Sequence, residues 1–234
     1  MAHYWQALET SRERFMERGT MMFPALSENL DIDAYARKIM QEVGDRTFCA
    51  SSPAHAQLLD ALEVRDGLAP VLHGMAREYF GYQGGLEDQY HIARLVTPGN
   101  STEQYRAHFD SHLFTLVIPL IIPSAAEGNE AGELLYRPNA RRQPRSEIEN
   151  IAGKAWFKRY ANRERATRLL DQNQFILESF ADRRPLLFAG RTTLHANRAV
   201  SPAASGPRLT LLAHFFDPSP RYGVGNMLRI LRRR

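Results

Sequence analysis

The stretch that most constrains the fold of this chain runs from Tyr105 to Pro123. Its second half, Phe114 to Pro123, is an apolar run of strand length, which predicts a long buried strand. Its first half places a histidine and an aspartate two residues apart, at His108 and Asp110. Because side chains alternate from face to face along a strand, both are predicted to point to one side and to meet one metal ion.

A third metal ligand has to come from another part of the chain, and His195 is the candidate. It stands at the end of a later apolar strand that follows Arg184. Two imidazoles and one carboxylate on one face form the facial triad that leaves open positions on a non-haem Fe(II). His108, Asp110 and His195 are therefore predicted to be the metal ligands and catalytic residues. A lone His-x-Asp pair is a weak signal, so the prediction depends on their order and strand context.

Composition limits the class of protein. The chain has 234 residues and 44% hydrophobic content, which is enough for one sizeable core and ordinary for a single β-rich domain. The single cysteine, Cys49, excludes an internal disulfide framework and a cysteine-based zinc cluster, and it fits a reducing compartment. The N-terminus lacks a signal pattern and no apolar run has the length of a membrane span, so a soluble cytoplasmic protein is expected.

Basic residues outnumber acidic ones, giving a formal net charge of +4. The excess gathers in residues 137–168 and in the tail from Leu228 to Arg234. A basic balance favours an anionic partner, which can be an acidic small molecule, nucleic acid or an anionic membrane surface. A solvated face and a frayed tail explain the same pattern.

The chain divides by pattern into a helical part and a β-rich part. Residues 1–84 are mostly helical, and residues 85–216 carry short strands separated by turn residues. A basic loop and a helical run at about 139–172 interrupt the strands, and residues 217–234 form a basic tail. No linker or internal repeat is present, so a single domain is predicted. Short strands preceded by helices favour a β-sandwich or jelly roll supported by helices on one sheet.

One succession of residues resembles a known family: Tyr-x-x-His-x-Asp, a Gly-Glu-Leu strand ending in proline, an apolar strand, a glycine, a distal histidine and an arginine. It is similar to the Fe(II)/2-oxoglutarate-dependent dioxygenases, nearest to the prolyl-hydroxylase-like members, over roughly residues 85–216. The resemblance implies an all-β core folded as a double-stranded β-helix, a jelly-roll or cupin-like fold, with N-terminal helices supporting the larger sheet. The separation of His108 from His195 is long for compact members, and residues 139–172 are interpreted as the insertion responsible.

The resemblance also implies the cofactor and cosubstrates, which are Fe(II), 2-oxoglutarate and O2. The far carboxylate of 2-oxoglutarate is expected to pair with Arg208, because a guanidinium binds a carboxylate through two parallel hydrogen bonds. Thr210 lies on the same side of that strand, and Tyr105 fits a family position whose phenol often touches the cosubstrate. The implied reaction hydroxylates an unactivated C–H bond of a small molecule, such as an amino acid or biosynthetic intermediate, while 2-oxoglutarate is decarboxylated to succinate and CO2.

Other residues have weaker claims to the site. His112 continues the alternation of the first two ligands, and Asn197 shares the face of the distal histidine, so both are candidate substrate contacts. The parity of His214 matches that of Arg208, which predicts that it points inward too. A structural role is the more common explanation for each. The basic insertion fits a lid that selects an anionic substrate, and it fits a solvated helix face equally well.

Three alternatives stay open at this point. A prolyl or other side-chain hydroxylase acting on a protein needs an open groove where a small-molecule enzyme needs a closed pocket. Nucleic-acid repair lacks the clustered aromatic residues that grip a flipped base, so no nucleic-acid partner is expected. A non-catalytic jelly-roll binding module would carry the two histidines and the aspartate incidentally. Asp110 argues against a halogenase, in which a small residue replaces the acidic ligand. The sequence gives no signal for an oligomeric state.

Overall fold

Two antiparallel β-sheets form the centre of the molecule, with helices packed outside them. The computed structural model describes residues 4–26, 30–50, 52–100, 102, 104–158 and 161–219. The tail from Leu228 to Arg234 lies outside the described residues. None of the described helices is both long enough and apolar enough to cross a membrane.

The first third of the chain is mostly helical, and the rest is rich in β-strands. The helices are α1 (Gln6–Glu9), α2 (Arg12–Arg18), α3 (Ile32–Val43), α4 (Pro53–Ala61), α5 (Ala69–Phe80), α6 (Glu147–Phe157) and α7 (Arg163–Asp171), with a π-helical turn (Val64–Leu68) before α5. The strands are β1 (Thr20–Met22), β2 (Phe48–Cys49), β3 (Gln89–Val96), β4 (Phe114–Ile121), β5 (Leu134–Arg137), β6 (Ile176–Glu178), β7 (Leu186–Ala189), β8 (Leu194–Asn197) and β9 (Arg208–Phe215).

The larger sheet has six strands in the order β1-β7-β4-β9-β3-β2, and the smaller sheet has three in the order β6-β5-β8. A single-residue antiparallel bridge pairs His108 with His195, and a second pairs Ala131 with Val200. The segment around His108 therefore lies along β8 and extends the smaller sheet. This arrangement confirms the predicted β-rich core with flanking helices.

The N-terminal helices cover the outer face of the larger sheet. Alternate side chains of β4 and β9, beginning with Phe114 and Leu209, join one buried core with residues of α3, α4 and α5. Each fully buried aliphatic or aromatic side chain of this kind contributes about 1.5–3 kcal/mol relative to exposure. Helix α3 begins where the Asp31 side chain accepts the Ala34 N–H at 2.8 Å. Its buried face consists of Ile32, Ala36, Ile39 and Val43.

The inner face of the larger sheet meets the smaller sheet and has an apolar and a polar part. The apolar part is a cluster that includes Val117, Leu186 and Phe188 with Leu134 and Tyr136 of the smaller sheet. The polar inward positions on β4 and β9 are Thr115, Arg208, Thr210 and His214. Buried polar groups need partners, so this polar part is where a site is expected.

Helices α6 and α7 lie between β5 and β6, in the segment that is interpreted from the sequence as an insertion. Each begins at a capping side chain: Ser146 accepts the Glu149 N–H at 3.1 Å, and Asn162 accepts the Arg165 N–H at 2.9 Å. The apolar face of α7 packs against the outer face of the smaller sheet, where its Ala166 is fully buried. The insertion is therefore a packed layer of the molecule.

Candidate metal centre

His108, Asp110 and His195 converge at the polar end of the space between the sheets. The Nε2 atoms of both histidines lie 3.7 Å from the same atom, Oδ1 of Asp110. The candidate ligand atoms of all three lie within 4.8 Å of one another. The side chains of Asp110 and His195 are 10% exposed, whereas that of His108 is 55% exposed. The cluster is thus enclosed on one side and open on the side of His108.

Backbone pairing sets the positions of the three residues. His108 and His195 exchange two backbone hydrogen bonds of 3.0 Å each, and the Asp110 N–H donates to the Gly190 carbonyl at 3.0 Å. A Cβ at Gly190 would lie only 2.7 Å from the carbonyl oxygen of His112 and 3.0 Å from Cβ of Asp110. Only glycine permits this close approach of the β7–β8 turn to the ligand segment.

The second nitrogen of each ligand histidine fixes its tautomer. Nδ1 of His108 lies 2.7 Å from the Arg106 carbonyl oxygen, and Nδ1 of His195 lies 3.2 Å from that of Thr193. Because a carbonyl oxygen can only accept, each Nδ1 carries the proton and each Nε2 keeps its lone pair. Burial lowers the pKa of His195 and keeps its imidazole neutral at pH 7. Both rings are therefore oriented as metal ligands are.

A hydroxyl group orients the carboxylate. Oγ1 of Thr115 donates to Oδ2 of Asp110 at 2.6 Å and accepts from Nδ1 of His214 at 3.0 Å. Burial tends to raise the pKa of Asp110, but His195 and the other nearby histidines, together with Thr115, hold it well below its usual range. The carboxylate is therefore ionised, with Oδ1 turned toward the two Nε2 atoms. His214 points inward, as its parity on β9 predicted.

The donor set fits Fe(II). Two neutral imidazoles and one ionised carboxylate, converging from one side, are the facial arrangement that non-haem Fe(II) takes while keeping open positions for other ligands. His108, Asp110 and His195 would hold the ion, and the exposed side of His108 leaves space for a second molecule to reach it.

A buried guanidinium lies next to the metal cluster. Arg208 is 3% exposed, and its Nη1 donates to Oδ1 of Asn197 at 2.5 Å. Asn197 shares a face of β8 with His195, so this bond places Arg208 beside the candidate ligands. Burial, followed by the nearby Arg94, lowers the pKa of Arg208 to about 9, which leaves it charged at pH 7. Thr210 is buried on the same face of β9, opposite Arg94 on β3.

Tyr105 lies on the other face of the ligand segment. Its phenol donates to Oε1 of Glu130 at 2.5 Å, and its ring packs with Ala107 and Phe109 outside the smaller sheet. Glu130 also pairs with Arg163 at 2.9 Å. Tyr105 has a positive φ of 54° where the chain enters the ligand segment, and its phenol is held by Glu130. The structure does not bring Tyr105 to Arg208 and Thr210, the two other predicted cosubstrate contacts.

The two predicted substrate contacts, His112 and Asn197, both have partners within the protein. His112 is 9% exposed, and its ring stacks on that of His214 with centroids 5.2 Å apart and planes at 26°. Tyr90 stacks on the same pair of rings. Asn197 accepts from Arg208. These contacts give both residues a place in the wall of the site.

Three residues at the site are not among the candidates derived from the sequence. For two of them, a feature of the sequence could have pointed to the site. Thr115 is the one hydroxyl residue in the apolar strand Phe114–Ile121, and Gly190 separates an apolar strand from the distal histidine. Arg191, which follows Gly190, is buried, and nothing in the sequence marks it as different from other arginines.

Comparison with known proteins identifies the fold. No family model and no curated protein matches the sequence. A prolyl 4-hydroxylase from Phytophthora capsici matches with a TM-score of 0.57 and 14% identity, over 99% of this chain and 72% of that one. SnoK, a non-haem α-ketoglutarate-dependent carbocyclase of nogalamycin biosynthesis, matches at 0.54 and 16%, over 94% and 90%. A Pseudomonas putida prolyl-4-hydroxylase matches at 0.52 and 13%, over 89% and 93%. The chain shares the fold of these proteins.

Proposed function

We propose that this chain, which shares its fold with prolyl 4-hydroxylases and with SnoK, is an Fe(II)- and 2-oxoglutarate-dependent oxygenase built on a double-stranded β-helix. The observation that carries the proposal is the convergence of two imidazole Nε2 atoms on one oxygen of Asp110, each at 3.7 Å. When bound, Fe(II) and 2-oxoglutarate supply the activation of O2, with release of succinate and CO2. The residues of the chain bind, orient and enclose these groups.

In this proposal Arg208 binds the far carboxylate of 2-oxoglutarate. Its described hydrogen bond goes to a neutral amide oxygen of Asn197, so its charge is not paired by that contact. A buried guanidinium gains most from a carboxylate that can accept two of its N–H groups. Thr210, two residues along the same face, offers a hydroxyl to the same carboxylate.

Other residues keep the buried side of the metal centre dry and rigid. The ring of Phe188 packs on that of His195 with centroids 4.9 Å apart, so water is excluded behind the ligand. Thr115 fixes the rotation of the Asp110 carboxylate through its 2.6 Å hydrogen bond. Partners of this kind typically change metal affinity 10–100-fold when removed.

We propose a small-molecule substrate, such as an amino acid or a biosynthetic intermediate, hydroxylated at an unactivated C–H bond. The insertion supports this choice, because its helix α6 packs against the ligand segment. Phe157 of α6 packs edge-on against Phe109 at 4.9 Å, and Lys154 reaches Ser111 at 2.9 Å. A substrate of small size also suits the enclosed side of the centre, where the side chains of Asp110 and His195 are each only 10% exposed. A prolyl hydroxylase acting on a protein is the second candidate, because two of the matching structures are prolyl 4-hydroxylases.

The test of the proposal is an anaerobic titration with Fe(II) and then 2-oxoglutarate, followed by visible absorption. The wild-type protein should develop the weak charge-transfer band of an iron-bound 2-oxo acid. His195→Ala should lose it, and the matched control His73→Ala should keep it, because His73 bonds the Gly84 carbonyl outside the site. Metal binding without the band in the wild-type protein would overturn the oxygenase proposal.

The substrate class is tested separately, by succinate release with Fe(II), 2-oxoglutarate and O2 present. We expect small acidic metabolites to stimulate succinate release and proline-containing peptides to leave it at the background rate. Stimulation by the peptides alone would favour the protein hydroxylase.

A further inference from the structure

We propose that Arg141, Lys154 and Arg191, here called the cation cluster, form a second anion site beside the metal centre that binds a carboxylate or phosphate group of the substrate. The inference rests on the proposed oxygenase function and extends it to the substrate class. It assigns to the protein a small molecule that carries an anionic group near the C–H bond to be oxidised.

Lys154 links the inserted helix to the ligand segment. Its Nζ donates to Oγ of Ser111 at 2.9 Å, and Ser111 directly follows the ligand Asp110. The side chain is partly buried, and burial is the main cause that lowers its pKa, to about 8. It therefore remains mostly protonated at pH 7 and places an ammonium group beside the metal centre.

Arg191 is the most deeply buried member of the cluster. It is 7% exposed, and its Nε is buried and has no hydrogen-bond partner among the residues that the structure describes. It directly follows Gly190, whose carbonyl accepts the N–H of Asp110. Buried polar groups are normally satisfied, so a buried guanidinium with an unused donor at this position indicates a ligand that completes it.

Arg141 joins the other members. Its guanidinium carbon lies 3.9 Å from the ring centroid of Phe109, whose ring packs outside the smaller sheet. Its Nε donates to the Arg191 carbonyl at 2.7 Å. Stacking and this bond hold Arg141 in place, and the charge is still available to an anion.

The described hydrogen bonds of the cluster go to neutral oxygens. Lys154 donates to a hydroxyl, and Arg141 donates to the backbone carbonyls of Arg191 and Asn150 and to the amide oxygen of Asn150. Burial is the main cause that lowers the pKa of Arg141 and of Lys154, and the nearby Arg191 lowers both further, as expected for positive charges that lie close together.

Acidic groups also face the cluster, and they offset part of its charge. Burial lowers the pKa of Arg191 and of Lys154, and carboxylates oppose part of this effect: Asp217 and Glu149 at Arg191, and Asp110 at Lys154. None of these contacts is an ion pair within 4.0 Å among the described residues, and Asp110 is committed to the candidate metal. A bound anion would relieve the remaining repulsion and supply the acceptor that Arg191 lacks.

The cation cluster differs from the Arg208 site in what it can recognise. Arg208 lies on β9 next to Asn197 and is assigned to 2-oxoglutarate, whereas the cluster belongs to the insertion and the β7–β8 turn. A substrate held by the cluster through its anionic group would present a nearby carbon to the open side of the metal.

The experiment is calorimetric titration of the Mn(II)- and 2-oxoglutarate-loaded protein, with inorganic phosphate in one arm and propionate in the other, at constant ionic strength. The wild-type protein should bind at least one probe saturably. Lys154→Met and Arg191→Met should each bind it about tenfold or more weakly, because a charge-assisted hydrogen bond is removed. The exposed controls Lys38→Met and Arg168→Met should bind like the wild type. The arm that binds more tightly identifies the anion class.

Equal binding by the wild type and the two cluster variants, or no saturable binding of either probe, would overturn the inference. The melting temperature and the 2-oxoglutarate Kd of each variant separate a ligand site from a structural role. If the cluster is a ligand site, each variant should melt no lower than the wild type and bind 2-oxoglutarate no more weakly. A much lower melting temperature together with much weaker 2-oxoglutarate binding would contradict it. If Mn(II) or 2-oxoglutarate fails to bind, the oxygenase proposal fails, and the same titration without them still decides the anion site.

Discussion

Two positive groups flank the metal centre, and they are built from different parts of the chain. Arg208 stands on β9 and bonds Asn197 on β8, so sheet register sets its position. The cation cluster takes Lys154 from α6, and Arg191 from the turn that follows β7. The difference suggests a division of work, in which the strands bind what every reaction cycle needs and the inserted elements bind the substrate.

The electrostatics of the two regions differ in the same way. Burial lowers the pKa of Arg208 to about 9, and the guanidinium has an amide acceptor beside it. Burial lowers the pKa of Lys154 to about 8, and the neighbouring Arg191 has a buried donor for which the described part of the chain offers no acceptor. The Arg208 site is preorganised for a fixed ligand, and the cation cluster is completed only by a bound anion.

Loss of the metal is the largest perturbation, and it should affect ligand binding in only one of the two regions. Asp110→Asn removes the charged ligand, and Mn(II) affinity should fall by more than about 100-fold, because even indirect partners of a ligand are worth 10–100-fold. Chelation of 2-oxoglutarate should disappear with the metal. Phosphate or propionate binding at the cation cluster should remain, as measured by calorimetry. Its disappearance would show that the two regions are not independent.

Thr115→Val removes the hydroxyl that orients Asp110 and nearly preserves the volume of the side chain. We expect metal affinity to fall about tenfold, at the lower end of the range for such partners. Electron paramagnetic resonance of Mn(II) measures this, with the exposed Thr97→Val as the control. An unchanged affinity would mean that the 2.6 Å hydrogen bond does not position the carboxylate.

Gly190→Ala tests the turn that joins the two regions. The new Cβ would meet the carbonyl oxygen of His112 at 2.7 Å, so the ligand segment has to shift, at a cost of about 1–3 kcal/mol typical of overpacking. We expect a lower melting temperature and a metal affinity reduced several-fold. Gly206→Ala is the matched control, since no atom of the described residues lies within 4 Å of its Cβ position. Equal behaviour of the two variants would argue against close packing at the turn.

The smallest expected effect is a pH dependence confined to the cation cluster. The pKa of Lys154 is about 8, set first by burial and then by Asp110, Arg141, Asp217 and Arg191. The ammonium charge is present below that pH and is lost as pH rises through it. Propionate binding should therefore weaken several-fold between pH 7 and pH 9, and Lys154→Met should abolish the dependence. Between about pH 8 and pH 10.5, Lys154 is protonated in the unfolded chain and largely neutral in the folded protein. The contribution of this residue to the free energy of unfolding therefore increases as pH rises through that range.

The strand-built part of the site could be predicted from the sequence because strand periodicity fixes which side chains share a face. Alternation placed His108 with Asp110 and Arg208 with Thr210 and His214, and the structure has them so. Tyr105, which the family likeness assigns to the cosubstrate, donates to Glu130 in the structure. Side-chain alternation relates only residues of the same strand. Which distant strands lie next to each other was implied by the family resemblance.

The insertion-built part could not be predicted in the same way. The basic character of residues 137–168 is visible in the sequence, but it does not distinguish Lys154, which contacts Ser111, from exposed cations such as Arg168. That distinction depends on how α6 packs against Phe109, a contact between segments far apart in the chain. Arg191 is buried for the same tertiary reason.

The most direct test of the account is the 2-oxoglutarate affinity of Arg208→Met and Arg191→Met, measured side by side on the Mn(II)-loaded protein. Truncating one partner of a buried charge pair costs about 2–5 kcal/mol, so Arg208→Met should weaken 2-oxoglutarate binding by about 30-fold or more. Arg191→Met should change it by less than about twofold, because the account assigns that residue to the substrate. The reverse result, with 2-oxoglutarate lost in Arg191→Met and kept in Arg208→Met, would contradict the assignment of the two regions.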